Sequence, residues 1–228
     1  MSMRRGGVSP EPYGLNLSFR VGDERKNVEA NRARFFKAIG INESDVAFTR
    51  QVHGDKVLHA DRAGSFENCD ALVTNERNRF LAISVADCVP IVLYDPVTRS
   101  IAAVHSGWRG SEAKIVLKAI QSMQRLFHAK PENMIAFLGP AAGSCCYEVG
   151  EEVAGKFDPR YATQSSNNKT HLNLKRYNKD LLTRAGIEEY NIEISPACTI
   201  CNEDYHSHRR DRERSGRMLA VIGVRKSQ

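Results

Sequence analysis

Short apolar runs of strand length recur along almost the whole chain, and they restrict it to a sheet-rich fold. The runs Val46 to Val52, Lys56 to Ala60, Ala71 to Thr74, Phe80 to Ala86, Val89 to Tyr94 and Ile101 to His105 are each four to seven residues long. Their length and Val/Ile content predict strands. Further strands are expected at Leu15 to Phe19, Met134 to Leu138, Ile192 to Ser195 and Met218 to Val224. Helical patterns are fewer. One covers Val28 to Ile39 and stops at Gly40; others cover Glu148 to Phe157 and Leu174 to Ala185. The longest runs from Ser111, read as its N-cap, to Phe127, with Ile115, Leu117, Ile120, Met123, Leu126 and Phe127 at helical spacing. Strands outnumber helices and are joined by short turns, so the sheets are expected to be mixed or antiparallel with helices outside. No repeat or linker divides the chain, and residues 1–228 are read as a single α/β domain. A chain of 228 residues buries about 70% of its extended-state surface and needs no disulfide staples.

Composition excludes several classes. No apolar run approaches the ~18 residues of a membrane span. The first residues, MSMRRGGVSPEPYG, have no apolar core and do not read as a secretory signal. A soluble, cytoplasmic protein without a membrane partner is expected. The net charge of +6 suits small anionic substrates. The densest basic stretch, His206 to Arg217, interleaves acids with arginines and has no aromatic residues between them to stack on bases, so no nucleic-acid partner is expected.

The six cysteines read as thiols rather than bridges. Cys198 and Cys201 form a C-x-x-C, but no second pair with zinc-finger spacing accompanies them. Cys145 and Cys146 are adjacent and would need a strained vicinal bridge. Neither pair is assigned a role from sequence.

Cys88 is different because of its position in a hairpin. Two apolar runs flank Asp95-Pro96-Val97-Thr98, a sequence that favours a type I turn. If the hairpin is symmetric about the Pro96–Val97 bond, Tyr94 faces Arg99 and Cys88 faces His105. Directly opposed residues bring their Cβ atoms to about 4.5–5.5 Å, which allows a thiolate and an imidazole to share one metal. His53, between a strand and Gly54, is the third candidate ligand. Two histidines and one cysteine would leave one position open on a catalytic zinc. The same residues also admit a metal-free reading in which His105 activates Cys88 as a nucleophile. Arg109, in the turn Ser106-Gly107-Trp108-Arg109-Gly110, adds positive charge where a helix begins.

A series of motifs extends this reading. RGGVS from Arg5, YGLNLSFRVGD from Tyr13, QVHGDKV from Gln51 and CDALVT from Cys69 are followed by ADCVPIVLYD, AAVHSGWRG, LGPAAGSCCYEVG and SGRMLAVIGV. In this order they resemble the laccase-domain or YfiH-type family, often labelled polyphenol oxidase and now assigned as purine nucleoside phosphorylases. The resemblance covers nearly the whole chain. It implies a single four-layer domain with two sheets packed between helices, and zinc bound by His53, Cys88 and His105. It also implies phosphorolysis of adenosine, inosine and S-methyl-5'-thioadenosine, together with adenosine deamination. Two departures stand out. Only Met1 to Arg4 precede RGGVS, which points to a truncated or misassigned start at one sheet edge. Where the family reads phenylalanine-x-serine-tyrosine-arginine, this chain has Tyr205-His206-Ser207-His208-Arg209.

For deamination, a zinc ion at His53, Cys88 and His105 would lower the pKa of water for attack on purine C6. Asp87 is the nearest carboxylate by sequence for acid/base work, although strand alternation would aim it away from Cys88. For phosphorolysis, Arg50 and Arg109 are the expected phosphate contacts, and Asn16 and Gln51 the expected nucleoside contacts. Purine nucleosides and phosphate are the expected partners. The rivals are a metal-free cysteine hydrolase acting on a peptide or cell-wall precursor, and a copper-dependent polyphenol oxidase. Copper is compatible with a His₂Cys donor set, but oxidation of phenols by O₂ at several coppers needs more than seven scattered histidines. A non-catalytic protein with zinc as a structural clip would need a fourth ligand.

Overall fold

Each long helix buries one face, wholly apolar only in the segment from Ile115 to Met123, and the sheets divide their strands' alternate residues between separate cores. A computed structural model describes residues 1–165 and 167–226. The chain runs through α1 (Arg25–Ala38), β1 (Val46–Arg50), β2 (Val57–His59), β3 (Gly64–Glu67), β4 (Ala71–Thr74), β5 (Phe80–Val85), β6 (Val89–Asp95), β7 (Ser100–Ser106), α2 (Trp108–Glu112) and α3 (Ile115–Phe127). It continues through β8 (Ile135–Leu138), β9 (Glu148–Val149), α4 (Glu151–Ala154), β10 (Ala162–Gln164), β11 (Thr170–Leu172), α5 (Leu174–Arg184), β12 (Ile192–Ile194), α6 (His208–Asp211) and β13 (Met218–Gly223).

One sheet has the order β13-β5-β1-β3 and another the order β12-β8-β6-β7-β4-β2. Both are mixed: β1 is parallel to β3 and β5, and β13 is antiparallel to β5. In the larger sheet β6, β7, β8 and β4 form antiparallel pairs, whereas β12 runs parallel to β8 and β2 parallel to β4.

Alternation explains the layering. In β5, Phe80 and Ala82 join the core under α1, whereas Leu81, Ile83 and Val85 join the core between the sheets. In β7, Ile101 and Ala103 face that inter-sheet core, whereas Ala102 and Val104 face the helices. A strand buried on both faces must be apolar without alternation, as β7 is. The layers are therefore α1, the β13-β5-β1-β3 sheet, the β12-to-β2 sheet, and α3 with α5. On α3, Ile115, Val116, Ala119, Ile120 and Met123 are buried. Burying side chains such as Ile115, Ile120 and Met123 contributes ~1.5–3 kcal/mol each, which seats the helix against β7 and β4. A third, antiparallel sheet of β10, β11 and β9 adds to the two expected from sequence. No helix among the described residues is long and apolar enough to cross a membrane.

Several sequence expectations are corrected. Leu15 to Phe19 forms no strand, because Asn16 bonds locally: its side chain accepts from the Ser18 and Arg217 N–H groups and donates to the Ser18 carbonyl. Ser111 is no N-cap. It lies inside α2, and the chain then passes through Lys114 in the left-handed region (φ 56°) before α3 begins. The helix expected over Glu148 to Phe157 shrinks to α4, because Glu148 and Val149 pair with β11.

The β6–β7 hairpin also has a different register. Asp95 faces Ser100, Tyr94 faces Ile101, and Pro90, not Cys88, faces His105. The reason is local. Asp95 Oδ1 accepts from the N–H groups of Val97 and Thr98, and Arg99 adopts φ 57°, so the loop holds four residues rather than a symmetric two-residue turn.

Candidate metal centre

β7 carries His105 near its end, and Cys88 immediately precedes β6, so both side chains stand at the same end of adjacent strands. Asp87 lies between β5 and β6 in the left-handed region (φ 85°), a conformation that costs a non-glycine residue ~1–3 kcal/mol unless its surroundings enforce it. Its surroundings do enforce it. Asp87 Oδ1 accepts from Thr199 Oγ1 (2.7 Å), Oδ2 from the Arg209 N–H (2.6 Å), and its carbonyl from the Ala142 N–H (2.8 Å). The Asp87 carboxylate thus points toward the loops after β8 and β12. This turn delivers Cys88 to His105 despite the shifted register.

His53 follows β1 in a second left-handed residue (φ 59°). Here Asp70, fully buried at the start of β4, supplies the restraint. Its carboxylate accepts from the N–H groups of Val52 (3.1 Å), His53 (3.0 Å) and Gly54 (2.9 Å), and its Oδ1 lies 2.8 Å from His105 Nδ1. One carboxylate therefore fixes the loop bearing His53 and the ring of His105. Since Nδ1 faces Asp70, Nε2 is the nitrogen of His105 left for a metal.

The donor atoms of His53, Cys88 and His105 all lie within 4.8 Å of one another. The His53 and His105 rings stand edge to face with centroids 5.0 Å apart. Burial raises the Cys88 thiol, but His105 and His53 outweigh it and bring the value down to about 6. Burial lowers His105, but Cys88 and Asp70 overcome this and raise it to about 9. Burial likewise raises Asp70, and His105 with the Gly54 and Val52 N–H groups reverses the shift, holding it below the usual carboxylate value. The arrangement favours a thiolate. Gly107 keeps its flank open, since a Cβ there would fall 2.9 Å from Cys88 Sγ and 3.6 Å from His53. A thiolate, two imidazoles and a carboxylate behind one of them form a donor set that fits zinc.

The other residues singled out from sequence lie as follows. Arg109 is exposed, with its guanidinium 4.2 Å from the Trp108 ring centre. Arg50 is exposed and paired with Glu67 at 3.4 Å. The Gln51 amide is used internally: it donates to the Ser84 carbonyl (2.8 Å) and accepts from the Ser84 N–H (2.8 Å) and Thr49. Asn16 is fully buried and latches the N-terminal segment to Arg217 and Asp23. The Asn16 amide is fully engaged within the protein, whereas Gln51 uses one of its two amide N–H bonds there.

Sequence reasoning missed Asp70, Tyr147, Arg209 and Arg217. Tyr147 is buried, and burial followed by the charge of Cys88 pushes its phenol up to about 12. The Arg209 guanidinium lies 5.4 Å from the centre of its ring. Burial lowers the Arg217 guanidinium, which the charges of Asp87 and Cys88 help keep protonated. His208, at the family's tyrosine position, lies 3.9 Å from Glu213. The available signal for Asp70 was a carboxylate directly before an apolar strand, and for Arg209 and Arg217 an arginine-rich turn before the last strand.

The chain matches the model of the multi-copper polyphenol oxidoreductase laccase family over residues 1–225. It belongs to that family. Within the family it is 41% identical over 225 residues to a purine nucleoside phosphorylase of Deinococcus radiodurans, covering 97% of this chain and 87% of that one. It is 34% identical to the purine nucleoside phosphorylase YlmD of Geobacillus stearothermophilus, covering 99% and 89%. Among solved structures, the Bacillus licheniformis hypothetical protein YfiH superimposes with a TM-score of 0.93 at 33% identity, covering 98% of this chain and 91% of that one. YlmD of G. stearothermophilus gives 0.92 at 33% identity, covering 98% and 90%. The laccase-domain fold is thus shared along nearly the whole length.

Proposed function

We propose that this laccase-domain protein is a zinc-dependent purine nucleoside phosphorylase acting in the cytoplasm on adenosine, inosine and S-methyl-5'-thioadenosine, with adenosine deaminase activity. The observation that carries the reading is the convergence of the His53, Cys88 and His105 donor atoms within 4.8 Å in a chain 41% identical to a purine nucleoside phosphorylase. When bound at these three residues, zinc supplies a Lewis acid that polarises an oxygen or nitrogen of the substrate.

In phosphorolysis the bond between the anomeric carbon and the base breaks, a phosphate oxygen bonds to that carbon, and the base leaves with a proton. Transition-state charge on the phosphate calls for fixed cations. Arg209, beside the Tyr147 ring, and Arg217, close to the charges of Asp87 and Cys88, line one wall of the centre and are proposed to hold it together with Arg109. Tyr147 stays protonated at neutral pH, since its phenol is pushed up to about 12. Its hydroxyl serves as a hydrogen-bond donor beside Cys88. Asp87, gripped by Thr199 and Arg209, holds that wall in place. In deamination, water replaces the 6-amino group and ammonia leaves.

The test is chromatographic. Free base formed from inosine or adenosine only with phosphate, and absent in Cys88→Ala, is the expected result. Zinc-loaded protein that yields neither free base nor inosine would overturn the reading. A second reading has its own support: Cys88, His105 and Asp70 form a thiolate–imidazole–carboxylate series suited to a metal-free cysteine hydrolase. Hydrolysis of a peptide or cell-wall precursor that survives chelation of the metal and is lost in Cys88→Ala would favour it.

A further inference from the structure

β12 runs parallel to β8 at the edge of the larger sheet, so the loops that follow them leave side by side. Ala141 and Cys198 form a parallel bridge there, and the Thr199 N–H donates to the Ala141 carbonyl at 3.0 Å. This juxtaposition brings the adjacent pair Cys145 and Cys146 onto the C-x-x-C of Cys198 and Cys201, about fifty residues later in the sequence. All four are free thiols, and their sulfur atoms all lie within 4.8 Å of one another. Cys145 Sγ and Cys201 Sγ are 3.9 Å apart. Four sulfurs placed ~2.3 Å from one zinc ion are about 3.8 Å from each other. A disulfide needs about 2.05 Å.

Three further features suit a metal. Cys198 Sγ accepts the Gly143 N–H at 3.2 Å and is also faced by the N–H groups of Cys201 and Ile200. Such backbone donors stabilise a sulfur that carries charge. Gly143 packs closely against the cluster: a Cβ there would lie 3.0 Å from Cys198 Cβ and 3.2 Å from Cys145 Sγ, so a side chain would press on the sulfurs. Finally, Lys175, a buried cation bonded to the Ser195 and Ala197 carbonyls, sets positive charge beside Cys198 and Cys145.

We infer that Cys145, Cys146, Cys198 and Cys201 form a second metal site, a tetrathiolate zinc centre that clips the loop after β8 to the loop after β12. Four protein ligands close the coordination sphere, so the site is structural rather than catalytic. The clipped loops are those that grip Asp87, through Ala142 on one side and Thr199 on the other. The clip therefore holds one wall of the first centre. The inference stands independently of the phosphorylase reading.

X-ray absorption of zinc-loaded protein tests it without a variant. Two zinc ions per chain with an average of about 2.5 sulfur ligands per zinc are expected, against one sulfur for the first centre alone. In the variant Cys145→Ser/Cys201→Ser one zinc is expected to be lost and the average to fall to about one sulfur per zinc, whereas Cys88→Ala removes the other zinc. One zinc per chain with a single sulfur, and all four thiols alkylated in the folded protein, would overturn the inference. So would mass spectrometry showing a Cys145–Cys201 disulfide in the zinc-loaded protein. If the double variant does not fold, the wild-type sulfur count still decides.

Discussion

Replacing Asp70 with asparagine tests how the proposed metal centre is held. The native carboxylate accepts four hydrogen bonds, with Oδ2 serving Val52 and Gly54 and Oδ1 serving His53 and His105. Asparagine keeps one oxygen and turns an NH₂ group toward the other pair of donors. With its oxygen at the Oδ2 position, the His53 N–H is orphaned, and His105 must accept at Nδ1. Its proton then moves to Nε2, the nitrogen that faces Cys88, and the ring can no longer ligate there. One buried donor left facing the NH₂ group costs ~1–3 kcal/mol, so Asp70→Asn is expected to lose ~1–3 kcal/mol of stability. Zinc affinity is expected to fall roughly 10–100-fold, the usual effect of removing a carboxylate behind a ligating histidine. Competition with a chromogenic chelator measures the affinity, and urea unfolding of the metal-free protein measures the stability. A folded variant whose zinc affinity stays within about twofold of the parent, well short of that range, would refute the argument.

Other residues give independent tests. Gly107→Ala places a methyl group 2.9 Å from Cys88 Sγ, so zinc affinity should fall by about tenfold or more while the circular dichroism spectrum stays native; unchanged zinc titration would show that the space is not needed. In metal-free protein the alkylation rate of Cys88 should rise with pH through a midpoint near 6 rather than the ordinary 9, because only the thiolate reacts; a midpoint at the ordinary value would show that the histidines do not stabilise it. His206 is buried with neither ring nitrogen partnered, and burial, with Arg4 and Arg217 nearby, lowers its pKa from 6.5 to about 4. The folded state therefore binds fewer protons, so stability should fall as pH drops from 6.5 towards 4, by ~3 kcal/mol in all, and this slope should vanish in His206→Leu. An equally steep acid slope in that variant would assign the loss to other groups.

Much of the fold was legible where periodicity is strong. The strands of the larger sheet and the apolar stripe of α3 follow from residue spacing alone. The register of β6 and β7 was not legible, because it depends on Asp95 capping a four-residue loop and on Arg99 taking a left-handed conformation. Cys88 and His105 still meet, but through the turn at Asp87 rather than by direct opposition across the hairpin. Asp70 escaped notice because its partners lie 16 to 35 residues away in sequence. The four-cysteine cluster escaped for a similar reason: a parallel strand pairing joins Cys145 and Cys146 to Cys198 and Cys201, and no local spacing reports it. The internal bonds of the Asn16 and Gln51 amides are likewise invisible in sequence, since their partners Arg217 and Ser84 are distant along the chain.

The burial of β7 on both faces bears on where this enzyme framework can vary. Ala102 and Ala103 have no exposed surface and project into different cores, so an added methylene on either side costs ~1–3 kcal/mol. The strand that presents His105 is therefore closed to gradual change. The loops after β8 and β12 reach the same centre from the other side, and outside their cysteines they carry partly exposed positions such as Ser144 and Ile200 that are open to substitution. New substrate preferences are expected to arise from those positions, with the strand that bears His105 inherited unaltered.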